Sequence, residues 1–450
     1  MAEVRRIAYV VYNDVYRDSR VLKAADSAAA AGYMARIYAF GGELSHYPVG
    51  VERRASGAEI HRLPVFPDRY ALVATAIRRR RAAAVPIPVV SSPGSAQEHE
   101  RVADRGILKG KITRARTAFL RLRLRLAGAI REHGFRRTSR SAIIDWRPHL
   151  VHAHDANTLE IAMDVRRSTG VPFVYDAHEL WEERNARRGR AARRRERRLL
   201  DRASKVMAGS ITVSPSIQRW MTDRYDLAAP PILVRNIPHA TTKIPAQELG
   251  RLRSLTGLSA DQLVIAYVGG ITSGRGIEEA ISAVALLPSN NHFVLLGHGA
   301  AQARAEFEAL ARTLGVADRV HFAGSVESGE VSAAAADADV SLVYTQPKNL
   351  SYRFSLPNKL FESIHAGVPI VASDLPDVAE LVRRYDLGEL SSPTDVEALA
   401  AAIRSVLAEP ERFRAGAAAA AAELSWEGEM ERLLALYEEI LESPAAGAGS

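Results

Sequence analysis

Short apolar runs alternate with amphipathic stretches along almost the whole of this chain, and that alternation restricts it to folds built from β-α-β units. RIAYVVY is followed by SRVLKAADSAAAAGY and then by ARIYAF. HLVHAHD (149–155), PFVYDAHE (172–179), VMAGSITVS (206–214) and PILVRN (231–236) continue the strands. After NIPHATTKIPAQE (236–248) the pattern restarts with LVIAYVG, HFVLLG, RVHFAG, DVSLVY and PIVAS, each followed by helical sequence. Two such runs predict two doubly wound parallel sheets, which take ligands outside the carboxyl ends of their strands. The length of 450 residues agrees, since it exceeds what one ordinary core accommodates.

The expected organisation is an N-terminal Rossmann-like domain over 1–236, a linker over 237–248, a second Rossmann-like domain over 249–425, a helix over 426–442 and a frayed tail over 443–450. Residues 65–142 break the rhythm with Pro, Arg and Ser-Ser-Pro-Gly, and read as a partly mobile insertion carrying one or two helices. In the last helix Met430, Leu433, Leu434, Tyr437, Ile440 and Leu441 form an apolar stripe that needs a surface to cover it.

Composition excludes several classes. The chain has no cysteine, so disulfides, thiolate metal sites and cysteine nucleophiles are absent. No stretch approaches the ~18 uninterrupted apolar residues of a membrane span, and the first apolar run is too short for a signal peptide, so a cytoplasmic location is expected. A formal charge of +8 asks for an anionic partner, and its cations crowd into 77–84, 114–140 and 187–202.

The stretch YVGGITSGRG, Tyr267 to Gly276, reads as the end of a strand, a glycine loop and the start of a helix. Exposed amides and the helix dipole there attract anions. Gly269, four residues, Gly274 and a cation imitate a Walker A loop, but Arg275 and Gly276 stand where Lys and Ser or Thr would hold Mg²⁺. A phosphate grip survives without its metal ligand, which points to a metal-independent user of a nucleotide diphosphate. The bland alternative is a glycine turn for close packing. In SLPNKLFESIHAGVPIVASDLPDVAELV (355–382), Pro357 opens a helix and Gly367 closes it. Lys359 and Glu362 then share a face, either as a surface ion pair of little worth or with Lys359 on phosphates and Glu362 on ribose hydroxyls.

These segments, with LLGHGA (295–300) and VHFAGSV (320–326), resemble the nucleotide-binding domain of retaining glycosyltransferases of family 4, specifically a branch with an NKLFE-like segment. DSRVLKAADSAAAAGY, PHLVHAHDANTL, FVYDAHELW and ITVSPSIQRWM resemble the family's N-terminal half, so the likeness covers most of the chain outside 65–142. The resemblance implies a GT-B fold of two Rossmann-like domains facing across a cleft, with the last helix crossing back to the first domain. It also implies transfer of a sugar from a nucleotide diphosphate donor, UDP- or GDP-linked, with retention and without metal. Arg275 matches the cation on the donor diphosphate, Glu362 the ribose-binding glutamate and His154 a histidine beside the donor sugar; Gly269, Gly270, Gly276, Asn358 and Lys359 complete the expected donor site, and Arg275 and Lys359 join His154 as catalytic. Asp18, Arg20, His178 and Glu179 are expected around the acceptor. For Asp18 and Arg20 the alternative is a helix cap with a solvated arginine. Two departures bear on donor identity: Phe354 stands at the family's first glutamate, and Gly270 follows Gly269 where an arginine is usual, leaving Lys359 to supply the second charge.

AFLRLRLRLAGAI, wound as a helix, puts Arg114, Arg121 and Arg125 on one side and Phe119, Leu122, Leu126 and Ile130 on another. The run at 187–202 pairs its cations with a seam of Ala192, Leu199, Leu200 and Ala203. Such helices fit adsorption to an anionic membrane surface, the alternative being a solvated face. Nucleic acid is disfavoured, because aromatics are only 6% and do not interleave with the basic runs. The expectation is therefore a peripheral enzyme on the inner membrane face, acting on a lipid-linked saccharide in cell-envelope polysaccharide or glycolipid synthesis. No carboxylate pair for double displacement is visible, which favours front-face attack. A sugar-nucleotide epimerase of the same fold and a basic nucleic-acid module are the alternatives.

Overall fold

The computed structural model of the chain describes residues 4–16, 18–42, 45–65, 128–184, 189–240 and 250–443. The first sheet holds β1 (Arg6–Val10), β2 (Met34–Gly41), β3 (Gly50–Arg53), β4 (Glu59–Pro64), β5 (Leu150–His154), β6 (Phe173–Ala177), β7 (Gly209–Thr212) and β8 (Ile232–Leu233). Their order is β3-β4-β2-β1-β5-β6-β7-β8, parallel except where β3 meets β4. The second sheet holds β9 (Leu263–Val268), β10 (Asn291–Leu296), β11 (Val320–Gly324), β12 (Val340–Val343), β13 (Ile370–Ser373) and β14 (Gly388–Ser391), in the order β11-β10-β9-β12-β13-β14. Both centres follow the doubly wound pattern, reversing direction beside their first strand.

Strands β5 and β6 are buried at every position, as parallel strands covered on both faces are. Within them the period of two assigns faces. The register pairs Tyr9 with His152 and His154 with Asp176, so all four side chains share one face. That face also carries Ile7, Leu150 and Val174, and is covered by the helix Ser19–Ala30 and by the last helix, Trp426–Glu442. The opposite face, with Ala8, Val151, Phe173 and Tyr175, packs against Leu159–Thr169 and against helical residues 128–146 through Phe135 and Ile143.

The stripe on the last helix finds its surface here. Trp426, Met430, Leu433 and Tyr437 are buried on the first domain, each apolar body contributing about 2 kcal/mol. Trp426 Nε1 donates to Ser27 Oγ at 2.9 Å, and the buried Glu429 carboxylate takes Arg235 at 2.6 Å.

Residues 66–127 and 241–249 lie outside the described part, and with them the cations of 77–84, the faces assigned to Arg114, Phe119, Arg121, Leu122, Arg125 and Leu126, and most of the expected linker. The end of the expected insertion is core, since Phe135 meets the rings of Tyr12 and Phe40 at 5.3 and 6.4 Å. The basic run at 187–202 forms the helix Arg190–Ala203, held by Leu200 and Ala203, with Ala192 exposed rather than in its seam. Among the described residues no helix is long and apolar enough to cross a membrane.

Candidate active site

Two cavities of about 490 and 350 Å³ meet at the carboxyl ends of the two sheets, and both are lined by His178, Val213, Leu356 and Asn358. The smaller belongs mainly to the second domain and brings together Gly269, Gly270, Arg275, Asn358, Lys359 and Glu362, with Tyr267 and Tyr352. The glycines and Arg275 come from the loop after β9, Asn358, Lys359 and Glu362 from the helix Asn358–His365, Tyr267 from β9 itself and Tyr352 from the short helix Leu350–Arg353.

Gly269 at φ +126° and Gly274 at φ +80° hold backbone that L side chains rarely adopt. Gly276, expected on the donor, is a packing glycine instead. It does not line the cavity, and a Cβ on it would stand 2.3 Å from Tyr344 Cδ1.

The Arg275 guanidinium lies 5.2 Å from the Tyr352 ring centre, and its buried Nε has no hydrogen-bond partner among the described residues. Lys359 Nζ sits 4.0 Å from the Tyr267 ring centre and donates to the Tyr344 carbonyl at 3.3 Å. Burial, and then Arg275, push its ammonium down to about 7, against Glu362. Burial pushes the Glu362 carboxyl up to about 7, against the pull of Lys23 and Lys359. Lys23 was not singled out in the sequence; it comes from the first domain, where its ammonium reaches the Ile237 carbonyl and the Trp426 ring. Lys348 was also missed. A Cβ on Gly274 would fall 2.8 Å from its Nζ, so an exposed ammonium borders the glycine loop. Phe354 gives its carbonyl to Ser214 Oγ at 2.7 Å and packs against the first domain, while Ser351, Tyr352 and Ser355 line the cavity around it.

On the first domain the expected histidine changes. His154 is fully buried and lines neither cavity; His178, 22% exposed, stands in front of it with Nε2 at 3.1 Å from His154 Nδ1. His178 is ringed by carboxylates, at 3.4 Å from Asp176 Oδ2 and 3.7 Å from Asp155 Oδ2. Against burial, Asp155 and then Asp176 push its imidazolium up to about 9. Burial, with His152 beside it, holds His154 well below its usual range and therefore neutral. Asp155 itself sits at φ +59°, left-handed backbone that aspartate adopts more readily than most residues.

Arg20 lines the larger cavity, but it is buried and its Nε and Nη2 grip both oxygens of Asp176 at 2.8 and 2.7 Å, so it is not the solvated arginine of the alternative reading. Asp18 lines the larger cavity while capping the helix, accepting from the Val21 amide at 3.3 Å and from Asn13 Nδ2 at 2.8 Å. Glu179, expected on the acceptor, lines the smaller cavity and meets Arg184 Nη1 at 3.4 Å. His152, His154 and Asp176 bring three metal-ligating atoms within 4.8 Å of one another. Because Arg20 already occupies Asp176, a metal ion would face a guanidinium, and the cluster acts as an ion-pair network.

Two Rossmann-like domains meeting at a cleft, with the last helix returned to the first, define the GT-B architecture of glycosyltransferases. Sucrose-phosphate synthase from Thermosynechococcus elongatus superposes with a TM-score of 0.71 over 98% of this chain and 100% of its own, at 18% identity. An Anabaena protein solved with UDP-glucose, Alr3699/HepE, gives a TM-score of 0.62 over 96% and 99%, at 15% identity. A family model described as "Glycosyl transferases group 1" matches residues 262–409, and one described as "Glycosyltransferase Family 4" matches 73–236. A D-inositol 3-phosphate glycosyltransferase of Geodermatophilus obscurus is 26% identical over 320 residues, 66% of this chain and 68% of the relative. A 2-deoxystreptamine glucosyltransferase of Streptomyces kanamyceticus is 27% identical over 214 residues, 47% of this chain and 51% of the relative. Glycosyltransferase models of group 1 and of family 4 thus match the second and the first domain in turn, which supports a family 4 glycosyltransferase.

Proposed function

We propose that this glycosyltransferase moves a sugar, with retention, from a UDP- or GDP-linked donor to an acceptor hydroxyl on a lipid-linked saccharide in cell-envelope polysaccharide or glycolipid synthesis. The observation that carries the reading is the smaller cavity, where a buried, unpartnered Arg275 nitrogen, Lys359 and Glu362 converge on glycine backbone. Arg275, Lys359 and the neighbouring Lys348 supply the charge that a metal supplies elsewhere, and Glu362 accepts two hydrogen bonds from a ribose diol. The donor sugar then extends towards His178, where the second cavity begins. A protonated His178 offers its N–H to that sugar. In the transfer step the acceptor oxygen bonds to the anomeric carbon on the face the leaving group departs from, the bond from that carbon to the diphosphate oxygen breaks, and the diphosphate takes the acceptor's proton. A structural neighbour solved with UDP-glucose supports such a donor.

A thermal-shift panel of UDP, GDP, ADP, dTDP and CMP, with Mg²⁺ or with EDTA, tests the donor reading. One diphosphate should stabilise the wild type without metal, by about 2.7 kcal/mol at a hundred times its Kd, and should fail on Arg275→Ala/Glu362→Ala. A covalent glycosyl-enzyme trapped with a fluorinated donor would sink front-face attack. The membrane reading rests on Arg190, Arg194, Arg198 and Arg202, exposed one turn apart on a helix that shows no exposed large apolar residue. Adsorption through charge alone follows, at about 1 kcal/mol per cation. Vesicles of phosphatidylglycerol should bind the protein and those of phosphatidylcholine should not.

A further inference from the structure

Tyr437 is fully buried on the last helix, yet its hydroxyl ends in a polar chain rather than among the apolar groups around its ring. It lies 2.5 Å from His152 Nδ1 and 3.3 Å from the Tyr9 hydroxyl. Tyr9 gives its own proton to the Ala24 carbonyl at 3.2 Å. The other nitrogen of His152, Nε2, faces Asp176 Oδ2 at 3.4 Å, and that same oxygen is 3.4 Å from His178 at the cleft. A phenylalanine would fill the volume of Tyr437 equally well, so packing accounts for the ring and not for the hydroxyl.

These contacts fix where the protons lie. Burial keeps His152 neutral, and a neutral imidazole carries one N–H. Nε2 stands 3.4 Å from a carboxylate that Arg20 keeps ionised, without a formed hydrogen bond, and the proton is assigned to it because a bare lone pair there would oppose the charge. Nδ1 is then an acceptor, and the single Tyr437 proton goes to it at 2.5 Å in preference to the Tyr9 oxygen at 3.3 Å.

We propose that Tyr437 is a positioning residue for the transfer step: by donating to His152 Nδ1 it locks the Nε2–H tautomer, which steadies Asp176 and through it the orientation of His178. The proposal builds on the assignment of His178 to the site made above. It ties readiness of the cleft to seating of the last helix, which is continuous with the second domain and lies on the first. A chain whose last helix lifts away loses the proton donor behind its own active site.

Long-range proton–nitrogen spectra of the full chain labelled with ¹⁵N-histidine test this directly, with His152→Asn and His178→Asn variants assigning the signals. The wild type should show His152 protonated on Nε2 and bare on Nδ1, and Tyr437→Phe should lose that preference. His178 is surrounded by Asp155, Asp176, His154, Arg20, Glu179 and Asp18, all retained in Tyr437→Phe, and its titration midpoint should nonetheless move to higher pH, because Asp176 loses an N–H that shares its charge. Turnover of the donor should fall on the order of tenfold while its KM stays unchanged, since the donor's contacts lie mainly on the other domain. Tyr437→Phe added to His152→Asn should cost nothing further. A wild-type His152 protonated on Nδ1, or a Tyr437→Phe protein with its tautomer and turnover intact, overturns the proposal even if the variant melts earlier. Failure of both UDP and GDP to bind the wild type would instead refute the donor reading, and the tautomer result would still decide the role of Tyr437.

Discussion

The proposed contact between Glu362 and the donor ribose makes nucleotide affinity depend on pH in a way that can be worked out from its surroundings. Its carboxyl is pushed up to about 7 by burial, with Lys23 and Lys359 opposing. A ribose diol donates two hydrogen bonds and so prefers the carboxylate, which lowers that pKa in the complex. The contribution of Glu362 is therefore present above about pH 7 and is lost as pH falls below it. One unit below the free pKa only about a tenth of the sites are ionised, which weakens binding by up to about tenfold, or about 1.4 kcal/mol. Lys359 acts with the opposite sign: its ammonium is pushed down to about 7, a diphosphate raises it again, and its contribution fades as pH rises through the raised value. Calorimetry of UDP or GDP binding should thus give a maximum close to neutrality. Glu362→Gln should leave only the acid limb of the ligand's own terminal phosphate, which takes a proton at about pH 6, and Lys359→Met should remove the alkaline limb. A 2′,3′-dideoxy nucleotide diphosphate, which lacks the diol, should give the wild type the acid limb of Glu362→Gln. Affinity flat between about pH 5.5 and about pH 8, or an acid limb identical in the wild type and in Glu362→Gln, would refute the reasoning.

Asp176→Asn leaves the buried Arg20 guanidinium uncompensated and should cost about 3–5 kcal/mol in urea unfolding, with the last helix still folded if His152 keeps its partner. Gly276→Ala drives a Cβ into Tyr344 at φ +79°; it should destabilise by about 1–3 kcal/mol and weaken a nucleoside monophosphate and a diphosphate alike, where a phosphate-binding glycine would spare the former. Lys348→Ala should weaken diphosphate binding a few-fold, flatten its salt dependence and leave uridine or guanosine binding unchanged, which equilibrium titration at two ionic strengths will read.

Much of the smaller cavity was legible because its residues are close in sequence. Arg275 follows the strand end by a few positions, and Lys359 and Glu362 share a helix face by spacing alone. Lys348 and Lys23 escaped notice because a lone lysine has no pattern, and each reaches the site only once loops and domains are brought together. On the first domain the strand ends were legible but not which histidine lines the cleft: HAHD and DAHE both end strands, and nothing local says which ring stands in front. Arg20 could not be read as buried, since its partner Asp176 lies 156 residues away.

Periodicity of two and of 3.6 is a property of neighbouring residues, so the sequence by itself determined two parallel sheets, the glycine loop, the helix at 358–365 and an apolar stripe on the last helix. The tertiary structure decided what covers that stripe, that Tyr437 reaches His152 across 285 residues, and that His178 rather than His154 meets the cleft. Those outcomes depend on distance through space and on competition for a single buried carboxylate, Asp176, and chain separation carries no information about either.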